Sequence, residues 1–169
     1  MAVLPILTYP DPFLAKPVKT VTEITDEVQE VIENMAETMY IAPGVGLAAI
    51  QAGIDKRIIV YDPDSDSLKR DFQVLINPCI LEYHGSTISE EEGCLSVPDM
   101  RCDIKRAERI IVEGLDREGN SLQFEAEGIP AIILQHEIDH LNGVLILDRI
   151  STLKRQIYKR KCQKNRKNE

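Results

Sequence analysis

A single α+β domain, built of antiparallel strands with few helices, is the architecture this sequence predicts. Three observations point to it. The chain has 169 residues, 43% hydrophobic and 28% charged, which suffices for one core without disulfide staples and matches soluble globular composition. Short β-branched or aromatic runs bounded by turn residues outnumber the helical patterns. No internal repeat, low-complexity tract or Pro/Gly/Ser linker divides the chain.

Each element has its own signal. Thr25, followed by Asp26 and Glu27, is a helix start, and Val28, Val31, Ile32, Met35 and Met39 repeat at helical spacing until Pro43. Arg57–Tyr61, Phe72–Asn77, Arg109–Leu115 and Leu122–Glu125 read as strands. Asp116 to Asn120, with Gly119, makes a hairpin turn between the last two. A second helix is expected from about Pro130 to Leu141, with Gly143 just past its end. Val144–Leu147 looks like a further strand. A third helix starts near Ser151 and runs into the tail. The expected division is a catalytic body, 1–150, and a basic C-terminal helix or tail of the same domain, 151–169.

Charge and cysteine usage narrow the function classes. No apolar run approaches the roughly 18 residues of a membrane span. The N-terminus shows no basic residue before Lys16 and no long apolar stretch, so no secretory signal is expected. Cys79, Cys94, Cys102 and Cys162 are too few and scattered for a disulfide framework and read as reduced cytosolic thiols. The formal net charge of −8 argues against nucleic acid until the chain is split. Residues 151–169 hold eight basic residues and one acid, giving +7, whereas residues 1–150 carry −15. An acidic body with a basic tail is an asymmetry to be explained, by a solvated terminal helix or by a partner.

The chemistry concentrates in His136-Glu137-Ile138-Asp139-His140. On a helix, residues four apart share a face, so two imidazoles converge on one ion while Glu137 flanks the open side as a base. Ala131, Ile132, Ile133, Leu134 and Leu141 surround the motif with apolar residues, which marks a buried helix. Burying two histidines and two acids without an ion or partner is expensive. A catalytic site needs a third protein ligand. After His140 there are only Cys162, Asp148 and Glu169, so the ligand is expected upstream, among His84, Cys79, Cys94 and Cys102. Cys94 is the best of these, because Gly93 and Pro98 shape a non-regular segment around it and a thiol beside a cation is deprotonated. Cys79 and Cys102 read as small buried hydrophobes and His84 as a solvated loop residue. Gly44-Val45-Gly46 reads by itself as a tight turn that lets a ligand backbone approach, and Gln51 offers an amide donor for developing negative charge.

Three segments together resemble the peptide deformylase family: Gly-Val-Gly-Leu-Ala-Ala-Ile-Gln at 44–51, Glu-Gly-Cys-Leu-Ser at 92–96, and Gln-His-Glu-Ile-Asp-His-Leu-Asn-Gly at 135–143. The similarity runs from Val3-Leu4-Pro5-Ile6-Leu7 through Asp148, essentially the whole chain. The resemblance implies a metal site on a central helix against antiparallel strands, and removal of the formyl group from N-terminal formyl-methionine of new polypeptides in a bacterial-type cytoplasm. It makes Cys94, His136 and His140 the metal ligands, Glu137 the general acid/base, and Gln51 and the Leu95 amide the oxyanion donors. Backbone groups of Val45, Gly46 and Gly93 are expected to hold the substrate in strand-like fashion. The methionine side chain is expected near Val45, Ile129, Ile132 and Ile133. The implied ion is Fe2+, with Zn2+, Ni2+ or Co2+ able to replace it. Glu90 departs from the family, many members of which carry an apolar residue there on the methionine-pocket wall.

Two other classes fit parts of the pattern. A peptidase cleaving internal bonds is favoured by the helix motif alone and is excluded by an upstream cysteine ligand. A binding module that keeps the fold without catalysis is opposed by the intact Glu137, Gln51 and glycines. The tail has a bland reading, charges merely solvated or attracted to the acidic body, and a functional one. In the functional reading, Leu153 and Ile157, with Tyr158 beside them, dock the helix start on the body, and the lysines and arginines beyond form an electrostatic arm for ribosomal RNA.

Overall fold

Thr25 caps the first helix as expected: its hydroxyl accepts from the Val28 amide, Asp26 and Glu27 sit in the first turn, and α1 runs Asp26–Ile41. The computed structural model describes residues 2–167. Met1, Asn168 and Glu169, the last a carboxylate considered above, lie outside the described residues.

Among the described residues seven strands follow, in two sheets. β1 (Gly46–Ala48), β2 (Ile58–Tyr61), β3 (Gln73–His84), β6 (Arg109–Leu115) and β7 (Ser121–Glu127) form an antiparallel sheet in the order β1-β2-β3-β6-β7. β4 (Thr87–Cys94) and β5 (Val97–Arg106) form a separate hairpin. The first sheet is covered on both faces. Ile58 and Val60 pack with Val28, Ile32, Met35 and Met39 of α1, whereas Ile59 and Tyr61 pack with Ala131, Ile133, Leu134 and Ile138 of α2 (Ile129–Leu141). Successive strand residues point to opposite faces, so β2 reads Ile-Ile-Val-Tyr and is buried throughout. Each such side chain, fully buried, contributes about 1.5–3 kcal/mol.

α2 crosses the sheet with three fixed points. Pro130 occupies its first turn. Gln135 clamps Ala107 between β5 and β6, accepting from its N–H and donating to its C=O, both at 2.9 Å. At the C-terminus, the Gly143 amide reaches the His140 carbonyl at 3.1 Å and the Val144 amide reaches that of Asp139 at 2.9 Å. This is a Schellman cap, which needs the left-handed φ of +76° that Gly143 supplies.

Several expectations are corrected. Val144–Leu147 is not a strand. Asp148 bonds back to the Leu145 amide through Oδ2 at 2.9 Å, so the chain winds into a 3-10 turn, Ile146–Arg149. The strand expected at Phe72–Asn77 continues to His84, past an irregular register at Asn77, whose side chain is pinned to both main-chain groups of Val21. Gly93–Pro98 is not an irregular loop: Cys94 ends β4, Leu95 and Ser96 make the turn, and Val97 starts β5. Gly46 belongs to strand β1, not to a turn. Cys79 is exposed on the outer side of β3, whereas Cys102 is buried as expected. His84 ends a strand and is exposed beside Glu82.

The last helix, α3 (Thr152–Lys167), starts with Ser151 accepting from the Lys154 amide. Leu153 and Ile157 do not dock it, for they are 71% and 58% exposed. The helix is rotated so that Tyr158 is buried instead, donating to the Pro98 carbonyl at 2.8 Å, with Cys162 packed beside it and Arg155 donating to the Leu147 carbonyl. No helix among the described residues is long and apolar enough to cross a membrane.

Candidate metal centre

The i, i+4 spacing on α2 stacks His136 and His140, with their Nε2 atoms 3.2 Å apart. The end of β4 brings Cys94 Sγ to 3.3 Å from His140 Nε2. Ligand atoms of Cys94, His136 and His140 all lie within 4.8 Å of one another. Tetrahedral bonds of roughly 2.0–2.1 Å to nitrogen place two ligand nitrogens about 3.3 Å apart, so this donor set fits one ion. Of the four upstream candidates, Cys94 is the one that the fold brings to the two imidazoles, and no later residue among those described joins the group.

Glu92 orients the ring that it touches. Its Oε1 accepts from His136 Nδ1 at 2.7 Å, which makes Nδ1 the donor and turns the Nε2 lone pair inward. Burial opposes ionisation of Glu92, but hydrogen bonds from His136 and Arg106 and their charges outweigh it and hold its pKa at about 2. Burial likewise opposes charge on His136. Hydrogen bonds with Cys94 and Glu92 and the Glu137 charge overcome it, raising the pKa well above its usual value. His140 is driven well below its usual value by burial and by neighbouring His136, so it is a neutral donor.

Glu137 is 4% exposed, and burial raises its pKa to about 7. Its Oε2 has no partner within the protein. Gly46 lies against it, and a Cβ there would stand 2.9 Å from the carboxyl, so the approach of β1 to the glutamate needs glycine. Gln51 is locked: its Oε1 accepts from the Ala48 amide at 2.9 Å, which turns Nε2 to Ser96 Oγ at 3.0 Å and towards Cys94 Sγ at 3.9 Å.

These groups open on a cavity of about 570 Å³. Val45, Gly46, Gln51, Gly93, Cys94, Leu95, Ile132, Ile133, His136 and Glu137 all line it, and His140 is buried behind. Ile129 is not on the wall: it begins α2 and is 66% exposed. Glu90 is exposed on β4 and does not line the cavity. β1 is an edge strand. The Val45 carbonyl is already taken by the Asp62 amide at 2.8 Å, and antiparallel alternation then turns the Gly46 main-chain groups to the open edge. Sequence reasoning quoted Glu92 and Ser96 within a motif but gave them no role, and it missed Arg106 altogether.

A family model described as polypeptide deformylase matches residues 3–156. A peptide deformylase of Desulfosudis oleivorans is 52% identical over 164 residues, 97% of this chain and 95% of that one. One from Thermodesulfovibrio yellowstonii is 50% identical over 161 residues, 95% of this chain and 97% of that one. The crystal structure of a peptide deformylase from Legionella pneumophila superposes with a TM-score of 0.90 at 43% identity, covering 98% of this chain and 96% of that one.

Proposed function

The chain belongs to the polypeptide deformylase family, and on that premise we propose a role for each group in the cleft. Its activity is that of the family, an enzyme that hydrolyses the formamide bond at the N-terminus of nascent polypeptides. Cys94, His136 and His140 hold the metal. The thiolate and two imidazoles accept Fe2+, which the family resemblance implies as the ion at work, and equally Zn2+, Ni2+ or Co2+. Once bound, the ion lowers the pKa of a water towards neutrality and polarises the formyl oxygen.

Glu137 takes the proton of the attacking water at the unpartnered Oε2 and returns it to the leaving amine nitrogen, a task suited to a carboxyl whose pKa is about 7. The Gln51 amide nitrogen and the Leu95 N–H face the oxygen on which charge develops. Gly46 on the open edge of β1 and Gly93 on β4 extend the substrate main chain as a strand between them, whereas the Val45 main chain is turned to β2. Val45, Ile132 and Ile133 receive the methionine side chain; Ile129 stands outside that wall. Residues 1–150 carry this catalysis in the cytoplasm, and the basic segment 151–169 docks on the ribosome.

The convergence of Cys94, His136 and His140 beside a buried, unpartnered carboxylate carries this reading. Anaerobically prepared protein is expected to deformylate formyl-Met peptides with one metal per chain. Glu137→Gln is expected to keep that metal and lose turnover by at least about a thousandfold, since general acid–base transfer and water activation both pass through it. Turnover within about tenfold of the parent would show the proton carrier to be misassigned.

A further inference from the structure

The charges behind the metal centre form a ladder running outwards. Both oxygens of Glu92, the His136 partner, are bound by Arg106, through Nε at 3.2 Å and through Nη2. The remaining edge of that guanidinium, Nη1, reaches Asp139 Oδ2 at 2.7 Å. Asp139 is gripped in turn by Arg149, through Nε at 2.6 Å and Nη2 at 2.7 Å. The side chains of Arg106 and Glu92 are 3% and 7% exposed, that of Arg149 is 43% exposed. Four elements meet here: β4, β5, α2 and the 3-10 turn Ile146–Arg149.

We propose that Arg106 is a positioning residue for the metal centre, its planar fork aligning Glu92 with His136 Nδ1 on one side and tying α2 through Asp139 on the other. The proposal rests on the reading of Cys94, His136 and His140 as ligands. An imidazole on a helix turns about its own side-chain bonds, and only a fixed acceptor at Nδ1 selects the angle at which Nε2 meets an ion. A carboxylate is fixed when both its oxygens are held, and a guanidinium does this with two N–H groups while a third binds elsewhere. Lysine supplies the charge as a single point and cannot hold three oxygens of two acids in one plane. Arg106 touches no reacting atom, so its effect reaches the chemistry only through the groups it holds in place, Glu92 against His136 and Asp139 on α2.

Arg106→Lys in the full chain, loaded with Co2+, tests this. Release of Co2+ to a chelator is expected to accelerate about ten- to a hundredfold, and the visible Co2+ spectrum to shift, while KM for a formyl-Met peptide stays within about twofold. Ile32→Val, in the core on the opposite face of the sheet, is expected to lower Tm without changing either metal readout. Should Arg106→Lys fail to fold, Arg149→Gln removes only the exposed end of the ladder and is expected to accelerate release about threefold. Release rates within about twofold of the parent and unchanged spectra in the folded variants overturn the proposal, as does equal acceleration in Ile32→Val. A parent that takes up no Co2+ overturns the ligand reading, and this proposal with it.

Discussion

Gln51 has a single amide orientation because its two ends meet different partners. The Ala48 N–H demands an acceptor, so the carbonyl faces β1 and the nitrogen faces Ser96 and Cys94. A donor aimed in advance acts most strongly once negative charge has formed. Gln51→Ala is therefore expected to lower kcat by about a hundred- to a thousandfold, roughly 3 kcal/mol, with KM little changed. It also orphans the buried Ala48 amide and so lowers Tm. Steady-state kinetics decide it, and a loss confined to KM would reassign Gln51 to ground-state binding. Gln51, Glu137 and the two histidines were legible because their spacing lies within one short segment or one helical turn. Glu92 and Arg106 were not. Glu92 stands in a run of three glutamates that looks solvated, and its partner His136 is 44 residues away. Only the bulges of β4, with φ of +48° at Glu91, turn Glu92 inward while Glu90 faces water.

At the scale of elements, α2 positions both histidines and its end is fixed one residue at a time. Gly143 completes the Schellman cap on the carbonyl of His140, one of the three candidate ligands. A Cβ there would meet the Ala15 carbonyl oxygen at 2.8 Å in a conformation that L side chains avoid. Gly143→Ala is expected to cost about 2 kcal/mol, roughly 4–8 °C in Tm, measurable by calorimetry. An unchanged Tm would show that the helix end relaxes freely. The helices were legible to within one residue because caps and period agree: Thr25 for α1, Pro130 and Gly143 for α2, Ser151 for α3. The β4–β5 hairpin was not, since bulges interrupt its alternation and Glu90 to Glu92 lack any strand propensity. Val144–Leu147 misled for the opposite reason. Its composition is that of a strand, but Asp148 supplies a local hydrogen bond that winds the chain into a turn.

For the molecule as a whole, the decisive feature is where the charge lies. The body carries −15 and the tail +7, so a basic helix that only needed neutralising would lie along acidic surface. α3 is instead seated by Tyr158 and Cys162 on an apolar cluster, with Lys154, Arg160, Lys161 and Lys164 facing solvent. A rigidly mounted row of exposed cations suits a phosphate backbone, where every phosphate neutralised releases counterions. Truncation before Tyr158 would remove the mount together with the charge, so substitution is the cleaner test. Replacing those four cations by glutamine is expected to leave turnover of short formyl-Met peptides within about twofold of the parent. Ribosome affinity should fall at least about tenfold, and the slope of log K against log salt should flatten by roughly 0.7–0.9 for each phosphate that is no longer neutralised. Cosedimentation with ribosomes at two salt concentrations reads both quantities. Equal affinity and an equal slope in parent and variant would show that the row is a solvated surface, and the docking element would then have to be sought on the acidic body.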